Sequence, residues 1–263
     1  MSLIFKSAAR ALGALLCAAT LLGAAQAGPV TALSGHAYMS AANEPFDDFS
    51  NAQAMNAAFG QNWNRLQFGS AFSNYSLLYI DGGDLASTEM VSFLAQNRSA
   101  LESYVLGGGR LFINAATDQQ SPFDLVFGAS SVEQSIDNRS NSGSAVNPGS
   151  DLFSGAGDNW LGYYFGHNTL STDSSYSALI RDEQGRTVLA GGFFGNGYVM
   201  LGGQTNTVFH EGLNGSDPVQ LRVNELLYTL NTQPGRVDEP ATLALLAISL
   251  TALVVVRRSR RGL

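Results

Sequence analysis

The sequence predicts an α/β domain with parallel central strands, placed between an N-terminal export signal and a C-terminal transmembrane helix. The domain prediction rests on residues 75–114, where an apolar strand, a glycine turn, an amphipathic helix, three glycines and a second apolar strand follow one another. The crossover in such a β–α–β unit is right-handed, which favours parallel strands. Both terminal predictions rest on an uncharged apolar run that lies beside basic residues.

The N-terminus has the pattern of a secretory signal peptide. Lys6 and Arg10 precede an apolar run from Ala11 to Gly23, and Ala25-Gln26-Ala27 is an A-x-A cleavage site. We therefore assign residues 1–27 to the signal and expect the mature chain to begin at Gly28. An uncleaved anchor helix is the alternative. Cleavage would place the following domain, residues 28–231, outside the cytoplasm.

The start of the domain predicts one strand and one helix. Alternating apolar positions around Tyr38 indicate a strand within Gly28 to Asn43, and a helix is predicted from Ser50 to about Phe59. Between them lies a loop with three carboxylates. Residues 60–74 are rich in Asn, Gln and Ser, and we expect them to form a loop. Its Trp63 and Phe68 should pack into the core.

The clearest elements are those of the β–α–β unit. Tyr75 to Ile80 predicts a buried strand that ends in the turn Asp81-Gly82-Gly83-Asp84. A helix is predicted from Thr88 to about Leu106, where Gly107-Gly108-Gly109 stops it. Arg110 to Asn114 is the next strand.

The remainder of the domain predicts a surface insertion, several strands and a closing helix. Residues 117–158 are rich in Ser, Asn, Gly and Asp, and we expect Ser140 to Ser144 to be a flexible loop. Trp160 to Phe165 is either a core strand or an aromatic platform for sugar rings. The later elements are strands at Tyr176 to Arg181, Arg186 to Gly191 and Gly197 to Leu201, and a helix that begins with Asp217 and Pro218 and runs to about Leu230.

The last segment, residues 232–263, has the composition of a membrane tail. The run from Ala241 to Val256 carries no charge and would form a helix of about 24 Å, close to the ~30 Å hydrocarbon core. Four arginines at 257–261 follow it, and they keep the chain end in the cytoplasm by the positive-inside rule. A buried core helix is the alternative, but four terminal arginines do not suit one.

This tail resembles the PEP-CTERM sorting domain of Gram-negative bacteria. The family pattern is a Pro-Glu-Pro-like triplet, a transmembrane run and an Arg-rich end, and here the triplet reads Asp238-Glu239-Pro240. The resemblance implies processing by an exosortase-type enzyme. It also implies anchoring in the inner membrane facing the periplasm, followed by delivery to the cell surface or the extracellular polysaccharide matrix. Exopolysaccharide is a further candidate partner.

The β–α–β unit resembles the class I glutamine amidotransferase-like superfamily, especially its trehalose-utilisation-type branch. The residues that carry the resemblance are YSLLYIDGGD and, after the helix, GGGRLFINAATD. It implies a flavodoxin-like, doubly wound and mostly parallel sheet. Amidotransferase members place a cysteine after the strand that corresponds to Arg110–Asn114, where this chain has Ala115-Ala116. Amidotransferase chemistry is therefore excluded.

Composition narrows the possible functions of the exported part. The single cysteine, Cys17, and the single lysine, Lys6, both lie in the signal, so disulfides, thiolate metal sites and cysteine nucleophiles are excluded. Residues 28–240 carry eight arginines against all 21 acidic residues, a net charge of −13. Such a surface repels nucleic acid, which we exclude as a partner, and suits divalent cations or solubility.

Polar residues at the ends of predicted strands form the candidate ligand site. Ligands of open α/β sheets bind beyond the carboxyl ends of the strands. The candidates there are Asp81, Asp84, Asn114, Asp118, His210 and Glu211. Carboxylates with a histidine suit a divalent cation or acid–base chemistry, whereas the alternative is ordinary turn residues. We expect no resident cofactor and no catalytic residue, and interpret the protein as a non-catalytic surface or matrix component. The alternative is a degenerate amidotransferase-like hydrolase or sugar-acting enzyme that uses Asp and His groups.

Overall fold

The fold was analysed in a computed structural model of the chain. It describes residues 33–42, 47–83, 86–117, 122–128, 130–133, 140–205, 207, 210–212 and 216–234. The predicted signal peptide and the apolar run at 241–256 lie outside these residues. Within the described ranges, no helix combines the length and the hydropathy needed to cross a membrane.

The domain is built on one ten-stranded sheet whose two halves differ in strand direction. Neighbouring strands follow the order β13-β8-β7-β10-β11-β12-β4-β3-β1-β2. The strands are β1 His36–Ser40, β2 Trp63–Gln67, β3 Leu77–Asp81, β4 Arg110–Asn114, β7 Ser140–Ala145, β8 Asn159–Gly166, β10 Tyr176–Arg181, β11 Thr187–Phe194, β12 Gly197–Gly202 and β13 His210–Gly212. A small second sheet pairs β5 Phe123–Asp124, β6 Ser131–Glu133 and β9 Thr169–Ser171.

The prediction of an α/β domain is confirmed, and the sheet is mixed. Strands β2, β1, β3, β4 and β12 run parallel to one another, in the order that flavodoxin-like sheets use. From β12 to β13 every pairing is antiparallel. The parallel half contains the β–α–β unit. In the antiparallel half, short turns without a helix join β10 to β11 and β11 to β12.

Helices cover both faces of the parallel half. Helix α1 spans Asp47–Phe59, α2 spans Ser87–Leu106 and α3 spans Pro218–Asn231. The buried stripe of α2 packs with Met39, Ile80 and Ile113 on one face, whereas α1 and α3 pack with Tyr38 and Phe112 on the other. Because side chains alternate along a strand, these buried strands are apolar on both sides.

The start of α3 matches its prediction in detail. Asp217 precedes the helix with extended backbone, and its Oδ1 accepts hydrogen bonds from the backbone N–H groups of Val219 and Gln220, at 2.9 and 3.0 Å. Pro218 fills the first helical position, where no donor is needed. The helix then runs back along the sheet to Asn231, antiparallel to the parallel strands.

Two segments predicted as loops contain strands. Residues 60–74 include β2, which adds a parallel edge strand beside β1. The prediction of a flexible loop at Ser140 to Ser144 is wrong, because this segment is most of β7, paired between β8 and β10. Gly143 allows this polar strand to pack beside β8. A Cβ at this position would lie 2.0 Å from the Phe165 ring, so the missing side chain makes room for that ring.

Candidate functional site

Two of the predicted site residues meet at the carboxyl ends of neighbouring strands. Asp81 ends β3, Asn114 ends β4, and the two are opposite each other in the register. Asn114 Nδ2 donates to Asp81 Oδ1 at 2.8 Å and to the backbone oxygen of Gln204, after β12, at 2.9 Å. All three residues are buried. Two of the six candidate ligand residues therefore lie in contact at the edge where three parallel strands end.

The contact between Asp81 and Asn114 continues into a buried hydrogen-bond chain below the sheet edge. Tyr79 Oη donates to Asn51 Oδ1 at 2.9 Å and lies 3.4 Å from Asp81 Oδ1. Asn51 Nδ2 in turn donates to the Tyr38 hydroxyl at 3.2 Å. Because Asn51 lies on α1 and both tyrosines lie on strands, this chain fixes α1 to the sheet.

A buried ion pair on α3 lies on the same face of the sheet. Arg222 Nη1 is 3.2 Å from Glu225 Oε2, and the two side chains are only 2% and 1% exposed. The guanidinium also lies over the rings of Tyr79 and Phe112, at 5.6 and 5.2 Å from their centres. Burial raises the pKa of Glu225, while the charge of Arg222 and the nearby Gln204 side chain act in the opposite direction. Gln204 therefore lies between the ion pair and the strand ends, where its backbone oxygen accepts from Asn114.

The space beyond β4 and β12 is filled by a turn of the antiparallel half. Residues 166–169, which we call the plug, run from the last residue of β8 to the first residue of β9, and Gly166 forms a β-bridge with Gln204. Asn168 Nδ2 lies 2.6 Å from Ala115 O and 3.1 Å from Thr117 O. His167 and Asn168 are 6% and 1% exposed. The plug thus sits directly on the residues that follow β4.

Backbone contacts hold the plug in place. The N–H of Asn168 donates to Gly203 O at 3.0 Å, and His167 Nδ1 donates to Ala116 O at 3.0 Å. Gly203 has no side chain to oppose this approach, since a Cβ there would be 2.2 Å from the backbone oxygen of Asn168. The residues that follow β4, Ala115 to Thr117, therefore face protein.

The other predicted site residues are not part of this described cluster. Asp84 and Asp118 lie outside the described residues. His210 and Glu211 belong to β13, the outermost strand of the antiparallel half, opposite Gly162 and Leu161 of β8. Among the described residues, no group of three or more His, Cys, Asp or Glu side chains is arranged to hold a metal ion.

The aromatic stretch on β8 belongs mainly to the core. Trp160 and Phe165 are fully buried, and their rings stack at 6.2 Å with an angle of 10°. Leu161, between them in sequence, is the exposed apolar residue. Trp160 to Phe165 was interpreted either as a core strand or as an aromatic platform for sugar rings. The rings of Trp160 and Phe165 fit the core strand, because buried rings cannot stack on a sugar.

Sequence reasoning missed the polar residues that complete the cluster, namely Gln204, Arg222, Glu225 and the plug residue Asn168. A signal existed for two of them. Arg222 and Glu225 lie three residues apart on the buried side of the helix, which is the spacing of an intrahelical ion pair. No comparable local signal marks Asn168, because its partners lie about 50 residues away in sequence.

Comparisons with known proteins support the fold alone. No family model matches the chain, and no curated protein matches it. Among solved structures, a cytoplasmic protein from Salmonella typhimurium is 12% identical, with 74% of this chain and 98% of that chain covered and a TM-score of 0.51. A β-galactosidase from Bacillus circulans is also 12% identical, with a TM-score of 0.50, and this chain spans only 30% of its length while 75% of this chain is covered.

Glutamine amidotransferases are also among the structural neighbours. One from Thermotoga maritima is 10% identical over 65% of this chain and 74% of that chain, with a TM-score of 0.48. At such identities and scores, neither the activity nor the substrate of a neighbour is evidence about this chain.

Proposed function

We propose that this protein is exported, tethered through its C-terminal tail, and sorted by an exosortase-type enzyme to the cell surface or the extracellular matrix. There its α/β domain acts as a non-catalytic binding or structural component. The proposed localisation rests on the signal peptide and on the tail with Asp238-Glu239-Pro240. The non-catalytic role rests on one structural observation, the plug that occupies the carboxyl edge of β4 and β12.

The plug bears on function because of where it lies. Doubly wound sheets bind their ligands in the crevice beyond the carboxyl ends of the strands. Here Asn168 uses its amide nitrogen on the backbone of Ala115 and Thr117, at that same edge. A substrate approaching the end of β4 would have to displace a buried, hydrogen-bonded turn. Leaving buried carbonyl groups without donors costs about 1–3 kcal/mol each.

The address is tested by fractionation of cells that express the full chain or variants of its sorting motif. We expect the wild-type protein in the membrane fraction and, after processing, at the surface or in the medium. The double replacement Glu239→Ala and Pro240→Ala is expected to block processing, so that only the membrane-bound form accumulates. Val237→Ala, just before the motif, is the matched control and should be processed normally. Wild-type protein found permanently in the cytosol would refute the proposed address.

A polar surface groove is the candidate contact for exopolysaccharide. It encloses about 410 Å³ between β9 and β10, and it is lined mainly by hydroxyl and charged side chains, namely Ser171, Thr172, Asp173, Ser174, Arg181 and Thr187. Such groups hydrogen-bond to sugar hydroxyls. The groove is separate from the plug, so binding there requires no rearrangement of the strand ends.

We expect Arg181→Ala to weaken co-sedimentation of the protein with exopolysaccharide from the producing cells several-fold. The reason is the loss of a guanidinium that donates to planar, polar ligands. Arg98→Ala on α2 is the matched control, because that arginine is also partly exposed but pairs with Glu102 and Asp124 and does not line the groove. Equal binding by both variants would exclude the groove.

Catalysis remains the competing function, favoured by the contact between Asp81 and Asn114 at the predicted edge. Its signature would be turnover of sugars or amides by the purified protein, lost in Asp81→Asn, which keeps the shape of the side chain but removes its charge. That result would replace the non-catalytic proposal.

A further inference from the structure

Both ends of the described domain leave from the same edge of the parallel sheet. We call this the amino edge, because β1, β3, β4 and β12 all begin there. The described chain enters β1 from Leu33, and it leaves after α3, which ends at Asn231. Gln233 is fixed at this edge, since Arg110 Nη2, at the start of β4, donates to its Oε1 at 3.3 Å. The tail therefore starts from the amino edge.

The amino edge also exposes large apolar side chains. Leu106, at the end of α2, is 48% exposed, and Phe193, at the end of β11, is 40% exposed. The turn that joins β11 to β12 lies against the end of α2, since a Cβ at Gly195 would be 2.6 Å from Leu106 Cδ2. The Phe193 ring packs edge-on against Tyr198 at 5.1 Å, and Tyr198 packs against Tyr228 at 6.0 Å. Exposed Phe and Leu side chains are the kind that insert at the interface between a bilayer and water.

The connection from this edge to the apolar tail is short. Gln233 and Pro234 are the last described residues, and the apolar run begins at Ala241. Seven Cα–Cα steps span at most about 25 Å when fully extended. Helix α3, with 14 residues, already separates the amino edge from the carboxyl edge by about 21 Å. Placing the carboxyl edge on the bilayer would need an almost fully extended connection, whereas the amino edge reaches it without strain.

We propose that the amino edge is the lipid-facing surface of the tethered protein, with Leu106 and Phe193 in contact with the bilayer interface. This orientation rests on the proposed membrane tail. It directs the carboxyl edge, with Asp81, Asn114 and the plug, away from the membrane. The partner is the lipid surface itself and not a second protein. Because the exported part is acidic, a zwitterionic bilayer is favoured over an anionic one.

The absence of cysteine from the exported sequence makes a direct test possible. The mature chain from Gly28 to Leu263, which contains no cysteine, is reconstituted into phosphatidylcholine vesicles after introduction of a single Phe193→Cys or Phe49→Cys. Each cysteine carries an environment-sensitive fluorophore, and the vesicles contain lipids with nitroxide quenchers. Phe49 is the matched control: it is a 74% exposed phenylalanine near the start of α1, which follows the carboxyl end of β1.

We expect quenching at position 193 to be several-fold stronger than at position 49, with a blue-shifted emission at 193 only. Leu106→Cys should behave as Phe193→Cys does. Flotation of the vesicles separates the two ideas. Protein that floats but is quenched equally at both positions, or more at 49, overturns the orientation and leaves the anchored tail intact. Protein that does not float overturns both.

Discussion

Replacing Arg222 with methionine is expected to lower the free energy of unfolding by about 3–5 kcal/mol, the range for breaking a buried ion pair from one side. Methionine keeps much of the apolar volume that packs over Tyr79 and Phe112. It removes the charge that compensates Glu225, whose side chain is 1% exposed. Urea unfolding at neutral pH measures the effect.

Two comparisons isolate the role of the buried charge. In the double variant Arg222→Met with Glu225→Leu, no uncompensated carboxylate remains, so most of the lost stability should return. Arg98 forms a surface pair with Glu102 at 3.7 Å, and the two side chains are 41% and 31% exposed. Arg98→Met removes this pair and should lower the free energy of unfolding by about 1 kcal/mol or less. If Arg222→Met lowered the free energy of unfolding no more than Arg98→Met does, the buried ion pair would be unimportant for stability.

The same pair gives the stability a defined pH dependence. Burial raises the pKa of Glu225 above its ordinary value of 4.5, so the folded chain holds this proton more tightly than the unfolded chain does. The stability that the protonated Glu225 carboxyl group adds to the folded state is therefore fully present below about pH 4.5. It is lost as the pH rises through the pKa of Glu225 in the folded chain. Without Arg222 that pKa rises further, so the loss in Arg222→Met extends to higher pH. In the double variant this dependence should disappear.

Asn168→Asp is expected to be the most disruptive change in the plug, with a loss of about 3–5 kcal/mol. The two side chains have nearly the same shape, but aspartate has no N–H to donate. Its carboxylate would face the backbone oxygens of Ala115 and Thr117, which accept from the asparagine at 2.6 and 3.1 Å. Thermal unfolding followed by circular dichroism measures the loss.

Asn64→Asp on the exposed side of β2 is the matched control for this change. It adds the same negative charge at a solvated position, where surface substitutions change stability by about 0.5 kcal/mol or less. If the two variants were equally stable, the plug would be only loosely held. The argument against a ligand crevice at the end of β4 would then fail.

The central strands of the parallel half were predictable because their signals are local, whereas its edge strand β2 was predicted as a loop. The buried strand at Arg110–Asn114 is apolar at its three central positions, the glycines before it stop α2, and Asp217 with Pro218 starts α3. Each of these signals depends on backbone preferences within a few residues. The contact between Asp81 and Asn114 was also predictable, since both follow apolar strands that had to lie side by side.

The antiparallel half carried weaker signals. Strand β7 has the sequence SNSGSA, which lacks the apolar alternation of a half-buried strand. It is nevertheless a strand, because β8 and β10 offer it backbone partners on both sides and Gly143 admits the Phe165 ring. These partners lie far along the chain, so propensity alone favoured a loop.

The sequence by itself determined the α/β class of this protein, and it predicts where the protein is sorted and that the exported part lacks a cysteine nucleophile. Those properties follow from composition, from hydropathy and from the order of short motifs. Only the tertiary structure decided what lies at the carboxyl edge. Asn168 reaches Ala115 and Thr117 across about 50 residues, and Gly203 permits the approach by lacking a side chain. No local pattern encodes such a contact, because it exists only once the antiparallel half has folded against the end of β4.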